Sequence, residues 1–448
     1  MEGTVMFRKQ IRLVAALLAL ALLGAACSNA DDDDTATKKP SGGSGSGSSA
    51  PGVTDDEIRF SAFGTASNNP TGACVLDCYV QGIKAYFEFR NSEGGLFGRK
   101  LTLPTVLDDA LADNQKKALE IVSADDTFAT FSATQLASGW KDIADAGIPL
   151  YVWGIHAAEM NGHDSIFANN GVICAKCVAR GPIYAGTLVH ATKVAALGYG
   201  VTQPSKDCVA SQVNSVKKYG KDTGMEMAFS NDNLAFGLPN GIAPEVSAMK
   251  KAGVDFITTC MDLNGMKTLA QELQRQGMGD VPMLHPNTYD QDFVAKAGDL
   301  FEGDLVNVGF RPFEADPGDS SLGDYFEWME KTGADLTETA MVGWINADLA
   351  YQGIKAAGED FDRAKVIEAT NEMTAYDAGG LLNPIDWSRQ HEAPSDDDRT
   401  AHGYAKECNA LVQVHDGKFT VVGDKEKPFN CWDNSSLDWS EPESTSFD

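Results

Sequence analysis

Asn91-Ser92-Glu93-Gly94-Gly95-Leu96-Phe97-Gly98-Arg99-Lys100-Leu101 is the stretch on which the fold reading turns. Upstream of it, Val80, Ile83 and Phe87 recur at helical spacing, so the segment to Arg90 reads as an amphipathic helix. Gly94, Gly95 and Gly98 then break the chain, and Leu101 to Val106 is an apolar run that reads as a strand. Glu57-Ile58-Arg59-Phe60 begins another strand before the helix. Strand, helix, glycine turn and strand make the repeating unit of an α/β protein.

The same rhythm extends downstream. Ala118, Ile121 and Val122 mark a helix, Phe128 to Phe131 a strand, Trp140 and Ile143 a helix, and Ile148 to Trp153 a strand. A second series follows, with strands at Val194–Tyr199, Val254–Met261 and Val281–Leu284. Its helices carry Val209, Val213 and Val216, then Met266, Leu269 and Leu273, ending near Gly220 and at Gly277. Helical spacers between strands predict parallel sheets with right-handed crossovers, whose ligands bind beyond the carboxyl ends of the strands. Two such series predict two facing lobes. After Phe310 the pattern changes to a long helix through Val342, Ile345 and Leu349 and a second through Val366, Ala369 and Met373, with Asp362 as N-cap. Leu411–Val414 and Phe419–Val422 read as a closing β-hairpin. Residues 433–448 are polar and acidic and are expected to form a flexible tail.

Composition narrows the function classes. The 448 residues carry 64 acidic against 36 basic side chains, a net charge of −28, which disfavours a nucleic-acid partner. Arg8, Lys9 and Arg12 precede an uninterrupted apolar run from Leu13 to Leu23, too short for a spanning helix and suited to an export signal. Leu23-Gly24-Ala25-Ala26-Cys27 resembles the lipobox of bacterial lipoproteins, which implies that residues 1–26 are removed and Cys27 is lipidated. Residues 27–52, with Asp31-Asp32-Asp33-Asp34 and a Ser/Gly run, read as an anchor cysteine followed by a disordered linker. Eight further cysteines, Cys74, Cys78, Cys174, Cys177, Cys208, Cys260, Cys408 and Cys431, form an even set that an oxidising compartment would pair. A zinc site on Cys74, Cys78, Cys174 and Cys177 is the alternative that their spacing permits. No catalytic motif of the G-x-S-x-G, H-E-x-x-H or phosphate-loop type occurs, so neither an enzyme nor a cofactor or metal is expected.

Three passages together resemble the branched-chain amino-acid-binding proteins, the solute receptors of ABC importers. They are Gly52-Val53-Thr54-Asp55-Asp56-Glu57-Ile58, the Asn91–Leu101 segment with Asp108-Asp109 after it, and Ala146-Gly147-Ile148-Pro149. The resemblance covers roughly residues 52 to 425. It implies a type I periplasmic-binding-protein fold: two Rossmann-like α/β lobes with parallel sheets, joined by a three-segment hinge. On that pattern the N-terminal lobe is 53–168 plus 310–400, and the C-terminal lobe 169–309 plus 401–432. A permease and its ATPase subunits are the implied partners, with the membrane reached through the lipid anchor. A sensor that uses the same cleft to signal to a membrane partner is the alternative.

The resemblance also implies a ligand-binding set. Ser132 and Thr134 stand where relatives hold a ligand carboxylate, and Trp153 and His156 end the next strand. Asp262, Asn287 and Tyr289 stand where relatives offer a carboxylate and an aromatic ring to an ammonium group. Each has a plainer reading: Trp153 as core, His156 as a hydrogen-bonded loop residue, Ser132 and Thr134 as partners of nearby backbone, and Tyr289 as a helix cap. Branched-chain amino acids are the default of the resemblance, but Trp153, His156 and Asn287 point to a more polar or aromatic solute. Of the cysteines, Cys74 with Cys78 and Cys174 with Cys177 are expected to close local clasps, although cross pairing between the lobes is open. Cys208 with Cys260 and Cys408 with Cys431 are the other expected pairs.

Overall fold

A computed structural model of the chain describes residues 50–171, 174–286, 288–391 and 404–447. The expected leader, Cys27, most of the linker, and Asn287 lie outside the described residues.

The quoted stretch does what its glycines demand. β1 (Glu57–Gly64) leads to α1 (Leu76–Ser92), which carries Asp77 in its first turn and Arg90 in its last, as the helix dipole favours. Phe87 packs on Phe60 and Phe131 of the sheet, with ring centroids 5.0 and 6.1 Å away. Gly94 and Gly95 take φ of 105° and 74°, conformations that side chains resist, and the Gly95 N–H turns back to the Arg90 carbonyl at 2.8 Å. Asn91 then acts as a strand neighbour. Its Nδ2 donates to the Leu101 carbonyl at 2.9 Å and its Oδ1 accepts from the Leu101 N–H at 2.8 Å, which fixes the start of β2 (Lys100–Asp108).

The first lobe continues through α2 (Asn114–Ala124), β3 (Ala129–Ala133), α3 (Trp140–Asp145), β4 (Leu150–Val152), α4 (Ala157–Met160) and β5 (Ile166–Ala168). Its five strands are all parallel, in the order β2-β1-β3-β4-β5. The second lobe begins with α5 (Gly181–Leu188), β6 (Lys193–Tyr199), α6 (Gln203–Thr223), β7 (Glu226–Leu234) and α7 (Ala243–Ala252). It runs on through β8 (Phe256–Cys260), α8 (Leu263–Gln276), β9 (Met283–His285), α9 (Gln291–Ala297) and β10 (Leu305–Val308). Strands β7-β6-β8-β9-β10 lie side by side and parallel.

The chain then returns to the first lobe as α10 (Leu322–Thr332), α11 (Glu338–Ala357) and α12 (Arg363–Asn371). α11 lies almost backbone to backbone on α1: a Cβ at Gly343 would stand 2.0 Å from the Tyr79 carbonyl oxygen, and one at Gly82 1.8 Å from that of Ala340. Asn346 of α11 donates to the Tyr79 hydroxyl at 2.8 Å and to the Val152 carbonyl at 2.9 Å, tying helix to sheet. The final passage into the second lobe is β11 (Lys406–His415), β12 (Lys418–Val421), β13 (Phe429–Asp433) and β14 (Glu443–Thr445). These strands extend the parallel sheet with antiparallel pairs, and β12 forms the expected hairpin with β11.

The expected flexible tail from 433 onward needs correcting. β14 pairs with β13, Phe447 packs on Phe429 with centroids 4.9 Å apart, and Trp439 lies 5.8 Å from Tyr219. The cause is buried charge. Arg180 and Arg311, 1% and 0% exposed, need acceptors away from water. The segment supplies them through the Asp433 and Ser436 carbonyls at 3.1 and 3.0 Å from Arg180, and the Ser446 hydroxyl at 3.1 Å from Arg311.

All eight cysteines are paired, as Cys74–Cys78, Cys174–Cys177, Cys208–Cys260 and Cys408–Cys431. With those sulfurs bonded to each other, the zinc alternative is set aside.

Candidate functional site

Carboxyl ends of strands from both sheets meet around a cavity of about 580 Å³. The first lobe contributes Trp153-Gly154-Ile155-His156 after β4 and Asn169-Asn170 after β5. The second contributes Tyr199 at the end of β6, Phe236 after β7, and Cys260-Met261-Asp262 at the end of β8. Glu338, the first residue of α11, enters the lining from the first lobe. Cys208–Cys260 and Cys174–Cys177 form part of the wall, so two of the disulfides brace the cavity itself.

A loop of the first lobe reaches over to the second. The Asn264 side chain in α8 donates to the Pro70 carbonyl at 2.7 Å, and its backbone N–H donates to the Thr71 carbonyl at 3.0 Å. Asp108, of the acidic pair, holds the base of that loop. It accepts from the Ser67 hydroxyl and from the backbone N–H groups of Ala66 and Ala110 at 3.0 and 2.9 Å. Burial works against its charge, but those bonds prevail and bring its carboxyl down to about 2.

The electrostatics of the lining are acidic. Asp262 caps α8 by accepting from the Gly265 N–H at 2.9 Å, and its carboxyl also lies against the Tyr199 hydroxyl. Burial raises its pKa against those contacts. Burial pushes Glu338 up to about 8, opposed by the Tyr289 backbone N–H and reinforced by the charge of Asp290. His156 is drawn down to about 4 by burial, so it is neutral at pH 7 and its Nε2 donates to the Thr134 carbonyl at 3.0 Å. The Tyr199 hydroxyl stays protonated, held above its usual range by burial and by the neighbouring Asp262.

The family model for periplasmic binding proteins matches residues 70–418. The chain belongs to that family. Solved structures with the same fold include a fatty acid ABC transporter substrate-binding protein from Thermomonospora curvata, 18% identical over 89% of this chain and 98% of its own, with a TM-score of 0.66. A branched-chain amino acid ABC transporter protein from Thermus thermophilus with bound valine is 18% identical over 83% of this chain and 97% of its own, with a TM-score of 0.64. A branched-chain amino acid transporter substrate-binding protein from Streptococcus pneumoniae in complex with isoleucine is 15% identical over 82% and 99%, with a TM-score of 0.63. At such identities the likeness is one of fold. No curated protein matches the chain.

Of the residues the sequence singled out, Trp153, His156 and Asp262 line the cavity. Ser132 and Thr134 do not. Both are fully buried behind the wall, where Ser132 accepts from the Trp140 indole at 2.9 Å and Thr134 donates to Asp109 Oδ2 at 2.6 Å. Tyr289 is also turned away: its hydroxyl donates to Glu314 and accepts from the Phe313 N–H at 2.7 Å, and its ring stacks on Phe313. The cap of the following helix is Asp290, not Tyr289. Sequence reasoning missed Tyr199, Phe236 and Glu338. Tyr199 closes β6 and Phe236 lies two residues past β7, a signal that was available for Tyr199. Glu338 follows the capping Thr337, where an acidic residue reads as a helix start and nothing more.

Proposed function

We propose that this chain is a lipid-anchored, extracytoplasmic solute receptor that captures a small solute bearing an amino group, an amino acid or related compound, between its lobes. It then delivers the solute to an ABC importer. The observation that carries the reading is the cavity at the carboxyl ends of strands from both sheets, in a chain of the periplasmic-binding-protein family. Two lobes joined by three passages can swing, and a solute that touches both favours the state in which they meet. The Asn264 contacts to Pro70 and Thr71 join the two lobes directly at the rim of the cavity.

Thermal unfolding of the full chain against amino acids, amides and short carboxylates tests the capture. A solute at 100-fold its Kd adds about 2.7 kcal/mol of stability. Trp153→Ala should abolish that shift while the free protein still unfolds cooperatively. A shift unchanged by Trp153→Ala overturns the site, and no shift with any compound overturns capture. The anchor is tested separately: protein extracted from membranes of a bacterial host should begin at a lipid-modified Cys27, and Cys27→Ala should release it to the soluble fraction. An unmodified N-terminus would remove the anchor.

A further inference from the structure

Several hydroxyls of the cleft have already committed their protons. Ser205 donates its hydroxyl proton to the Cys260 carbonyl at 2.7 Å, Ser211 to that of Cys177 at 2.6 Å, and Thr259 to that of Leu284 at 3.1 Å. Thr71 donates to Asn69 Oδ1 at 2.7 Å. A hydroxyl has one proton, so all four show the cavity only lone pairs. Asn409 donates to Asn307 Oδ1 at 2.7 Å and leaves its own Oδ1 buried without a partner. Tyr199 is 2% exposed, and its hydroxyl is turned to the adjacent Asp262 carboxylate.

Charge points the same way. Lys406, the one lysine or arginine among the described residues of the lining, pairs with Glu443 at 3.4 Å, and Glu407 is taken by Arg180 at 3.1 Å. That leaves Asp262 of the second lobe and Glu338 of the first as the carboxyls without a cationic partner. Ser132 and Thr134, the hydroxyls suited to a ligand carboxylate, are buried behind the wall, Ser132 accepting from Trp140 and Thr134 donating to Asp109. The remaining side-chain donors, among them the Trp153 indole, the Thr202 hydroxyl and the Gln135, Gln212, Asn169 and Asn170 amides, are neutral.

We propose that the cleft selects an organic amine that carries no carboxylate, with its ammonium met by Asp262 and Glu338 and its apolar body packed on Trp153, Tyr199, Phe236 and Phe310. An ammonium brings three donors to the lone pairs and carboxyls of the lining, and aromatic faces attract cations. A ligand carboxylate would be stripped of water beside two acidic side chains, with the lining's lysine already paired to Glu443. The inference rests on the solute-receptor reading and narrows it.

The test uses matched compounds on the full chain, by calorimetric titration. They are leucine, its decarboxylated form 3-methylbutylamine and its deaminated form 4-methylpentanoate, with the same trios built on phenylalanine and tryptophan. In at least one trio the amine should bind at least about tenfold tighter than the amino acid, and the acid should not bind. Asp262→Asn, which keeps a capping side chain, and Glu338→Gln should each weaken the amine at least about tenfold while unfolding cooperatively without ligand. If an amino acid or acid binds best throughout, or if both variants hold the amine as well as the parent does, the amine assignment falls and solute capture stands. If no compound in any trio binds, both readings fall.

Discussion

Glu338 shows what a carboxyl in the cavity wall costs in stability. Its carboxyl titrates near 8 in the folded chain against an ordinary 4.5, because burial outweighs the Tyr289 N–H. Between those values the folded state holds the proton that the unfolded chain has released, so the stabilisation is full below about 4.5 and is lost as pH rises through 8. Glu338→Gln should therefore leave stability near pH 4 close to that of the parent. At pH 9 it should raise stability by at least about 1 kcal/mol, measured by urea unfolding at both pH values. Equal curves at pH 9 would show that the carboxyl is not penalised there. The sequence could not reveal this, since an acidic residue after Thr337 is ordinary helix chemistry. Ser132 and Thr134 failed for the opposite reason. Their place at the end of β3 was legible, but which neighbour claims each hydroxyl was not. Trp140 lies eight residues beyond Ser132 and Asp109 twenty-five before Thr134, and those separations acquire meaning only once the sheet has formed.

At the scale of elements, legibility tracked local determination. The turn after α1 is written in Gly94, Gly95 and the Asn91 side chain, all within ten residues of the strand they position, so periodicity and glycine placement sufficed. β7 went unread because it is an edge strand whose Ser230-Asn231-Asp232-Asn233 run is largely exposed and carries no apolar alternation. The C-terminal segment was misread for a related reason. Its acidity matched a loose tail, but its order comes from two buried arginines remote in the chain, and composition is silent about a partner more than a hundred residues away. The helix pair α1 and α11 lies between these cases. Gly82 and Gly343 were visible as glycines, yet only their mutual approach shows that neither position can accept a methyl group without parting the helices.

For the whole molecule, the decisive question is what sets the balance between separated and apposed lobes. Asn264 is the residue through which α8 of the second lobe grips the Pro70–Thr71 loop of the first. That loop is itself held by Asp108 and by the Cys74–Cys78 clasp, so it presents its carbonyls as a fixed edge. Gly72 lies at the contact with φ of 81°, where a Cβ would stand 2.7 Å from Asn264 Oδ1. Asn264→Ala removes one side-chain bond worth about 1 kcal/mol, which corresponds to about fivefold in the closing equilibrium. A solute that must draw the lobes together bears that cost, so its Kd should rise by about the same factor while its contacts in the cavity are untouched. Gly72→Ala, which opposes the contact by crowding and by backbone strain, should act in the same direction. Small-angle scattering of the free chain supplies the second measurement, because both variants should have a radius of gyration equal to or larger than that of the parent, never smaller. Unchanged affinity in both variants would mean that the loop merely rests on α8, and that closure is set by the solute and the hinge alone.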